Sequence, residues 1–136
     1  MLDVIDLVGR LLFATVFFIN GWAQVARRDV MVGVGQMIGA PRPDVTVPVS
    51  GVLMLVSATL IALGVWADLG ALLLFLFLPY AAFLAHAYWK ETDPGMRAAQ
   101  SAQFWKNIAL AGAALVLLAM YADGREFDLA LGSGLF

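Results

Sequence analysis

The sequence predicts an all-α integral membrane protein, a bundle of four transmembrane helices with a short interfacial helix in the first loop. Three observations carry this. The 136 residues are 62% hydrophobic and only 13% charged, whereas soluble domains run at about 45–50% apolar and about 25% charged. The mean hydropathy is +0.89, so the apolar surface needs lipid as its solvent. Four apolar stretches also have the length of about 20 residues that a helix needs to cross a hydrocarbon core of about 30 Å.

The first stretch runs from Leu7 to Ala26 and is interrupted only by Arg10. The second, Val45 to Ala67, and the third, Leu69 to Trp89, carry no charge. The fourth runs from Ser101 to Tyr121 with Lys106 near its start. Long Leu, Ala and Phe runs without two-residue alternation exclude a β-barrel pattern. The chain reads as one domain over residues 1–136. Its acidic start, without a small-residue cleavage site, reads as a retained span instead of a signal peptide.

The connections are short. Asp68 is the only charge between the second and third spans, which predicts a tight antiparallel hairpin. In the first loop, Val30 to Ile38 is apolar but too short to cross, and Gly39 and Pro41 stop it, so it is placed along the interface. Asp93 and Pro94 have the pattern of an N-cap and a first helical residue for the fourth helix. Loops one and three hold Arg27, Arg28, Arg42, Lys90, Arg97 and Lys106, which favours a cytoplasmic position for both loops and an outside position for both termini.

Composition also removes whole classes of chemistry. With no cysteine there are no disulfides, thiol redox centres or Cys-ligated metals, and the single histidine cannot by itself supply a metal or haem site. A net charge of −2 without a basic stripe argues against nucleic acid as a partner. No catalytic constellation is visible.

The polar residues inside the spans are therefore the candidate site. Asp6, Arg10, Phe13, Phe17, Asn20 and Gln24 follow one another at helical steps of three or four. An arginine at mid-membrane costs about 2.5–3.5 kcal/mol, so this stripe is expected to face the bundle interior. Asp6 and Arg10 can pair at i, i+4, Arg10 could snorkel to headgroups, and a ligand or quinone contact is the functional alternative. Asn20 and Gln24 read either as interhelical hydrogen-bond glue or as ligand contacts. His86 reads as a partner for a neighbouring helix, or as a proton-relay or quinone-carbonyl contact. The aromatics Trp22, Trp66, Trp89, Trp105 and Tyr121 lie near span ends and read as an interfacial belt. Small residues crowd the fourth span, among them Ala109, Gly112 and Ala113, and permit close packing within the bundle or against a partner.

Several short motifs, in order along the chain, resemble the DoxX family of small bacterial membrane proteins. They are Arg10-Leu11-Leu12-Phe13 with Phe18-Ile19-Asn20-Gly21, Ile38-Gly39-Ala40-Pro41, Leu63 through Ala71, Phe104 through Gly112, and Phe127-Asp128. Two positions depart from the family pattern: Gln24 stands near a place where relatives often have lysine, and Met54 where they often have glutamate. The resemblance implies a four-helix bundle in the bacterial plasma membrane and, for some relatives, association with redox or quinone-linked complexes.

The expectation is an accessory subunit or partner of a larger membrane complex, redox-related, with no catalytic centre or cofactor of its own. A quinone at a shared site, other redox proteins and further copies of the chain are the candidate partners beside the lipid bilayer. A small-molecule or lipid binder, or a small transporter, built on the span-one stripe is the second reading. A stand-alone oxidoreductase is the third.

Overall fold

A computed structural model describes residues 1–123, 129–132 and 134–135, without the side chain of Leu2. The Phe127-Asp128 motif and most of the polar stretch 123–128 lie outside the described residues. Helix α1 spans Leu2–Ala26, α2 Arg28–Met37, α3 Pro43–Leu63, α4 Ala67–Ala85 and α5 Pro94–Ala122, with a 3-10 turn at Tyr88–Lys90. No strand occurs among the described residues. Helices α1, α3, α4 (with its 3-10 extension) and α5 are each long and apolar enough to cross a membrane, and α2 is the short helix of the first loop.

The polar backbone groups at helix ends decide where the helices stop. In a bilayer these groups have little water to turn to, and each one left bare costs several kcal/mol. Helix α2 ends in a Schellman motif: Gly39, at φ 73°, donates to Gln36 O and Ala40 donates to Gly35 O. Helix α3 ends the same way, with Gly64 at φ 68° donating to Ile61 O and Val65 donating to Leu60 O. The second span thus stops at Leu63, four residues before the expected Ala67, because glycine supplies the left-handed turn there. Trp66 also takes a positive φ of 48°, and the chain re-enters a helix at once. Helix α5 starts where expected. Asp93 Oδ1 accepts from Met96 N at 2.8 Å, and Pro94 is the first helical residue. At about 1.5 Å per residue its 29 residues reach about 43 Å, beyond one hydrocarbon thickness.

The third span does not run unbroken to Trp89. Its α-helix ends at Ala85 with His86 as C-cap, and the 3-10 turn carries the span on to Lys90. Tyr88 and Trp89 instead turn across α5 and meet Phe104 edge-on, at ring-centroid distances of 5.5 and 5.7 Å. Phe83 stands 5.2 Å from the same ring. Aromatic pairs of this kind contribute about 0.5–1.5 kcal/mol each, which offsets the lost helical turn.

The core is apolar and small. Ala14 and Phe17 of α1, Met54, Ala58 and Ile61 of α3, Ala71, Leu74 and Leu78 of α4, and Ala111 and Ala114 of α5 pack together. Helices α1 and α3 approach through Gly21 and Gly51. A Cβ on Gly21 would lie 2.8 Å from Gly51 O, and one on Gly51 would lie 3.0 Å from Gly21 O. Only a bare Cα permits that crossing. Helices α1–α3, α3–α4 and α4–α5 are neighbours, whereas no Cα of α1 comes within 8 Å of one of α5. The bundle therefore has one open seam, between its first and last helices.

The packing sorts the small residues of α5. Its small residues divide by face: Ala111 and Ala114 are buried, while Ala109, Gly112 and Ala113 are exposed. A Cβ on Gly112 would meet nothing within 4 Å. These three residues do not pack inside the bundle. Tyr121, expected in the aromatic belt, is 3% exposed, whereas Trp22, Trp66, Trp89 and Trp105 do face outward.

Candidate functional site

The residues of the span-one stripe separate into two places at opposite ends of the bundle. At the end nearer the termini, Arg10 is the largest fully buried side chain, 1% exposed. Its Nε donates to Asp6 Oδ2 at 2.7 Å. Its Nη1 donates to Ile61 O at 3.2 Å and Ala62 O at 2.9 Å, and its Nη2 to Leu129 O at 3.3 Å. It does not snorkel. A planar fork of donors suits this place because the last carbonyls of α3 converge there with the macrodipole's negative end. Leu63 O, the last of them, accepts from Leu131 N at 2.9 Å. Every carbonyl from Leu60 to Leu63 is thus satisfied, and Arg10 acts as an internal cap for α3.

Asp68, read from sequence as a loop charge, is 0% exposed in the first turn of α4. Its Oδ1 accepts from Leu69 N at 2.9 Å and its Oδ2 from Leu135 N at 2.6 Å. Residues 129–132 and 134–135 therefore lie over this end, held by Arg10, Leu63 and Asp68. The fit is close: a Cβ on Gly64 would fall 2.5 Å from Ala130 Cβ, and one on Gly134 would fall 3.0 Å from Asp68 Oδ2. This end is a closed structural cluster.

The other end is open. A cavity of about 240 Å³ lies between α1, α4 and α5, at the side of loops one and three. Its polar wall is built from Asn20 and Gln24 of α1, His86 at the end of α4, and Gln103, Lys106 and Asn107 of α5. Its apolar wall includes Phe17, Met54, Phe77, Leu78 and Leu110. Asn20 and Gln24 reach it because they stand one turn apart, and Gln103, Lys106, Asn107 and Leu110 recur at steps of three or four on α5. Asn20 Nδ2 donates to Val16 O of its own helix at 2.7 Å, so it does not tie two helices together. Gln24 does: its Oε1 accepts from Ser50 Oγ of α3 at 2.5 Å. Lys106 Nζ donates to Gln103 Oε1.

His86 pairs with Gln100 of α5, Nδ1 to Oε1 at 2.8 Å. In the neutral tautomer that donates Nδ1–H to this amide oxygen, Nε2 is an acceptor. The cavity thus offers an ammonium and amide donors on one side and an imidazole acceptor on the other. A second cavity of about 110 Å³ shares Gln24, Phe77, Ala81 and Ala85 with the first and continues under Ile38 and Ala40 beside α2. Gln24 and Met54, the two departures from the family pattern, both line the main cavity.

Of the expected site residues, Asn20, Gln24 and His86 come together here, whereas Asp6 and Arg10 stand with Asp68 at the opposite end. Lys106, Gln103 and Asn107 were not singled out as ligand contacts. The signal available was the polar run at the start of an otherwise apolar helix. Among the described residues no group of three or more His, Asp or Glu side chains is placed to hold a metal ion.

Comparison with known proteins agrees with this architecture. The family model described as DoxX matches residues 5–87. The inner membrane protein YphA of Escherichia coli (strain K12) is 30% identical over 114 residues, which cover 84% of this chain and 81% of YphA. No solved structure matches it. With four membrane-crossing helices and an inner-membrane relative, this is a multi-pass bacterial membrane protein, and the chain belongs to the DoxX family.

Proposed function

We propose that this chain is a membrane-embedded accessory subunit that holds the head of a quinone-class molecule in the cavity between α1, α4 and α5, beside a redox enzyme of the same membrane. The observation that carries this reading is the cavity's lining. A quinone head is flat and uncharged, with carbonyl oxygens that need donors, and its reduced form has hydroxyls that need an acceptor. Lys106, Asn107, Asn20 and Gln24 supply donors, His86 Nε2 an acceptor, and Phe17 and Phe77 flat apolar walls. Gln24 and Met54 are uncharged and suit a neutral head.

Partnership with an enzyme is supported by the outward face of α5. Ala109 and Gly112, beside the α1–α5 seam and not lining it, leave that face shallow enough for another helix to approach closely. In this reading the cavity end faces the cytoplasm, a position that the basic residues of loops one and three favour.

Binding of a water-soluble quinone head to the protein in lipid nanodiscs tests the assignment. Lys106→Ala and Asn107→Ala should each weaken binding roughly tenfold, the loss of about 1.4 kcal/mol. Arg10→Ala, judged only on protein that remains folded, should leave the affinity unchanged. The reverse pattern would move the site to the other end of the bundle.

A further inference from the structure

The polar cavity has an apolar counterpart along the same pair of helices. Helices α1 and α5 are antiparallel neighbours in the bundle, yet their backbones stay more than 8 Å apart at every Cα pair among the described residues. Toward the termini the same seam opens into a groove of about 400 Å³ lined by Gly9, Phe13, Ala113, Val116 and Leu117. Along α1 the order is Gly9, Phe13, Phe17, Asn20, Gln24; along α5, reversed, it is Leu117, Ala113, Leu110, Asn107, Gln103. Both helices therefore change from apolar to polar in the same direction, facing one seam.

Among the described residues nothing fills this groove. Gly9 lacks a side chain, and a Cβ placed on it would meet no atom within 4 Å. We propose that the whole seam is one binding site for a single-chain amphiphile, with its head in the polar cavity and its hydrocarbon chain laid along α1 and α5. The proposal rests on the head-group assignment above and adds the chain. The polarity gradient of the seam parallels that of the bilayer, with headgroup depth at the loop end and hydrocarbon depth at Gly9 and Ala113. An amphiphile can thus slide in sideways from the lipid without inverting. A neighbouring protein helix suits the site less well. It would cover the apolar half but leave Asn20, Lys106 and Asn107 facing a uniformly apolar surface, which is costly. A two-chain lipid would leave its second chain outside the groove.

The test compares two quinones in nanodiscs of one lipid composition: the methoxylated benzoquinone head alone, and the same head with a ten-carbon chain. The chain's partition into lipid cancels when one ligand is compared across variants. The double substitution Gly9→Leu with Ala113→Leu fills the groove at sites with free space or exposure, so the bundle should tolerate it. It should weaken the chain-bearing ligand at least about tenfold and leave the bare head unaffected. Gly112→Leu, on the same helix but outside the groove, should change neither.

If both ligands bind and the double variant weakens neither, or weakens both alike, the groove is not the chain's site, while the head-group reading stands on its own variants. If neither ligand binds the unaltered protein, the head-group reading fails and the extended site with it. A double variant that shifts the protein from dimer to monomer, without changing chain affinity, would assign the groove to a second copy and overturn the proposal.

Discussion

Replacing Arg10 by leucine is expected to destabilise the bundle by about 3–5 kcal/mol, the range for removing one partner of a buried ion pair. The loss has two sources. Asp6 is left beside the core with its side chain 11% exposed and no cation at 2.7 Å. Ala62 O and Leu129 O lose their donor as well. Arg10→Lys should recover only part of this, because an ammonium cannot present a planar fork to Asp6 and three carbonyls together. Asp6→Ala should cost less than Arg10→Leu, since the guanidinium keeps its three carbonyl partners. Reversible unfolding in mixed detergent micelles measures all three. An Arg10→Leu protein within about 0.5 kcal/mol of the parent would show that the internal cap is not what holds α3 to α1.

The second large effect is expected at Asp68. Its carboxylate accepts from Leu69 N and Leu135 N in a site without exposure. Hydrogen bonds to charged groups contribute about 1.5–3 kcal/mol each, and an acidic side chain in the first turn of α4 also favours the helix dipole. Asp68→Ala should therefore cost on the order of 3 kcal/mol. The loss should be most visible at residues 129–132 and 134–135. Hydrogen exchange at the Leu135 and Leu131 amides should accelerate on the order of a hundredfold, while exchange in the middle of α3 changes less. Arg10 and Asp68 hold the same segment, through Leu129 and Leu135, so the two substitutions should be less than additive. Unchanged exchange at Leu135 would contradict the contact.

The fold was largely legible because lipid makes the rule simple: four apolar runs, four helices. The stops were partly legible. Gly39 and Asp93 act as their residue types suggest, whereas Gly64 ends α3 earlier than the unbroken apolar run implied. Hydropathy cannot register that turn, because Val65 and Trp66 are as apolar as the helix before them. Asp68 was misread for a related reason. A lone acid between two spans looks like a loop charge, and its partner Leu135 is 67 residues away in sequence.

The candidate site was legible only in pieces. Asn20, Gln24 and His86 were visible as polar residues inside spans, but helical spacing alone could not separate them from Asp6 and Arg10 on the same stripe. That separation depends on what each residue meets: the end of α3 at one end, the open seam with α5 at the other. The small residues of α5 posed the same difficulty. Ala109 to Ala114 cover every face of the helix, and only the neighbouring helices decide that Ala111 and Ala114 are inside.

The central claim is that the cavity between α1, α4 and α5 receives the head of a quinone-class molecule. Photo-crosslinking with a short-chain azidoquinone in native-like lipid, followed by peptide mapping, tests it most directly. The account predicts labels concentrated on α1 around Asn20 and Gln24 and on α5 around Gln103 to Asn107, displaced by excess unlabelled quinone. Labels spread along the outward faces around Ile19, Leu76 and Leu115 and unaffected by competitor, or labels gathered near Arg10 and Asp68, would contradict it.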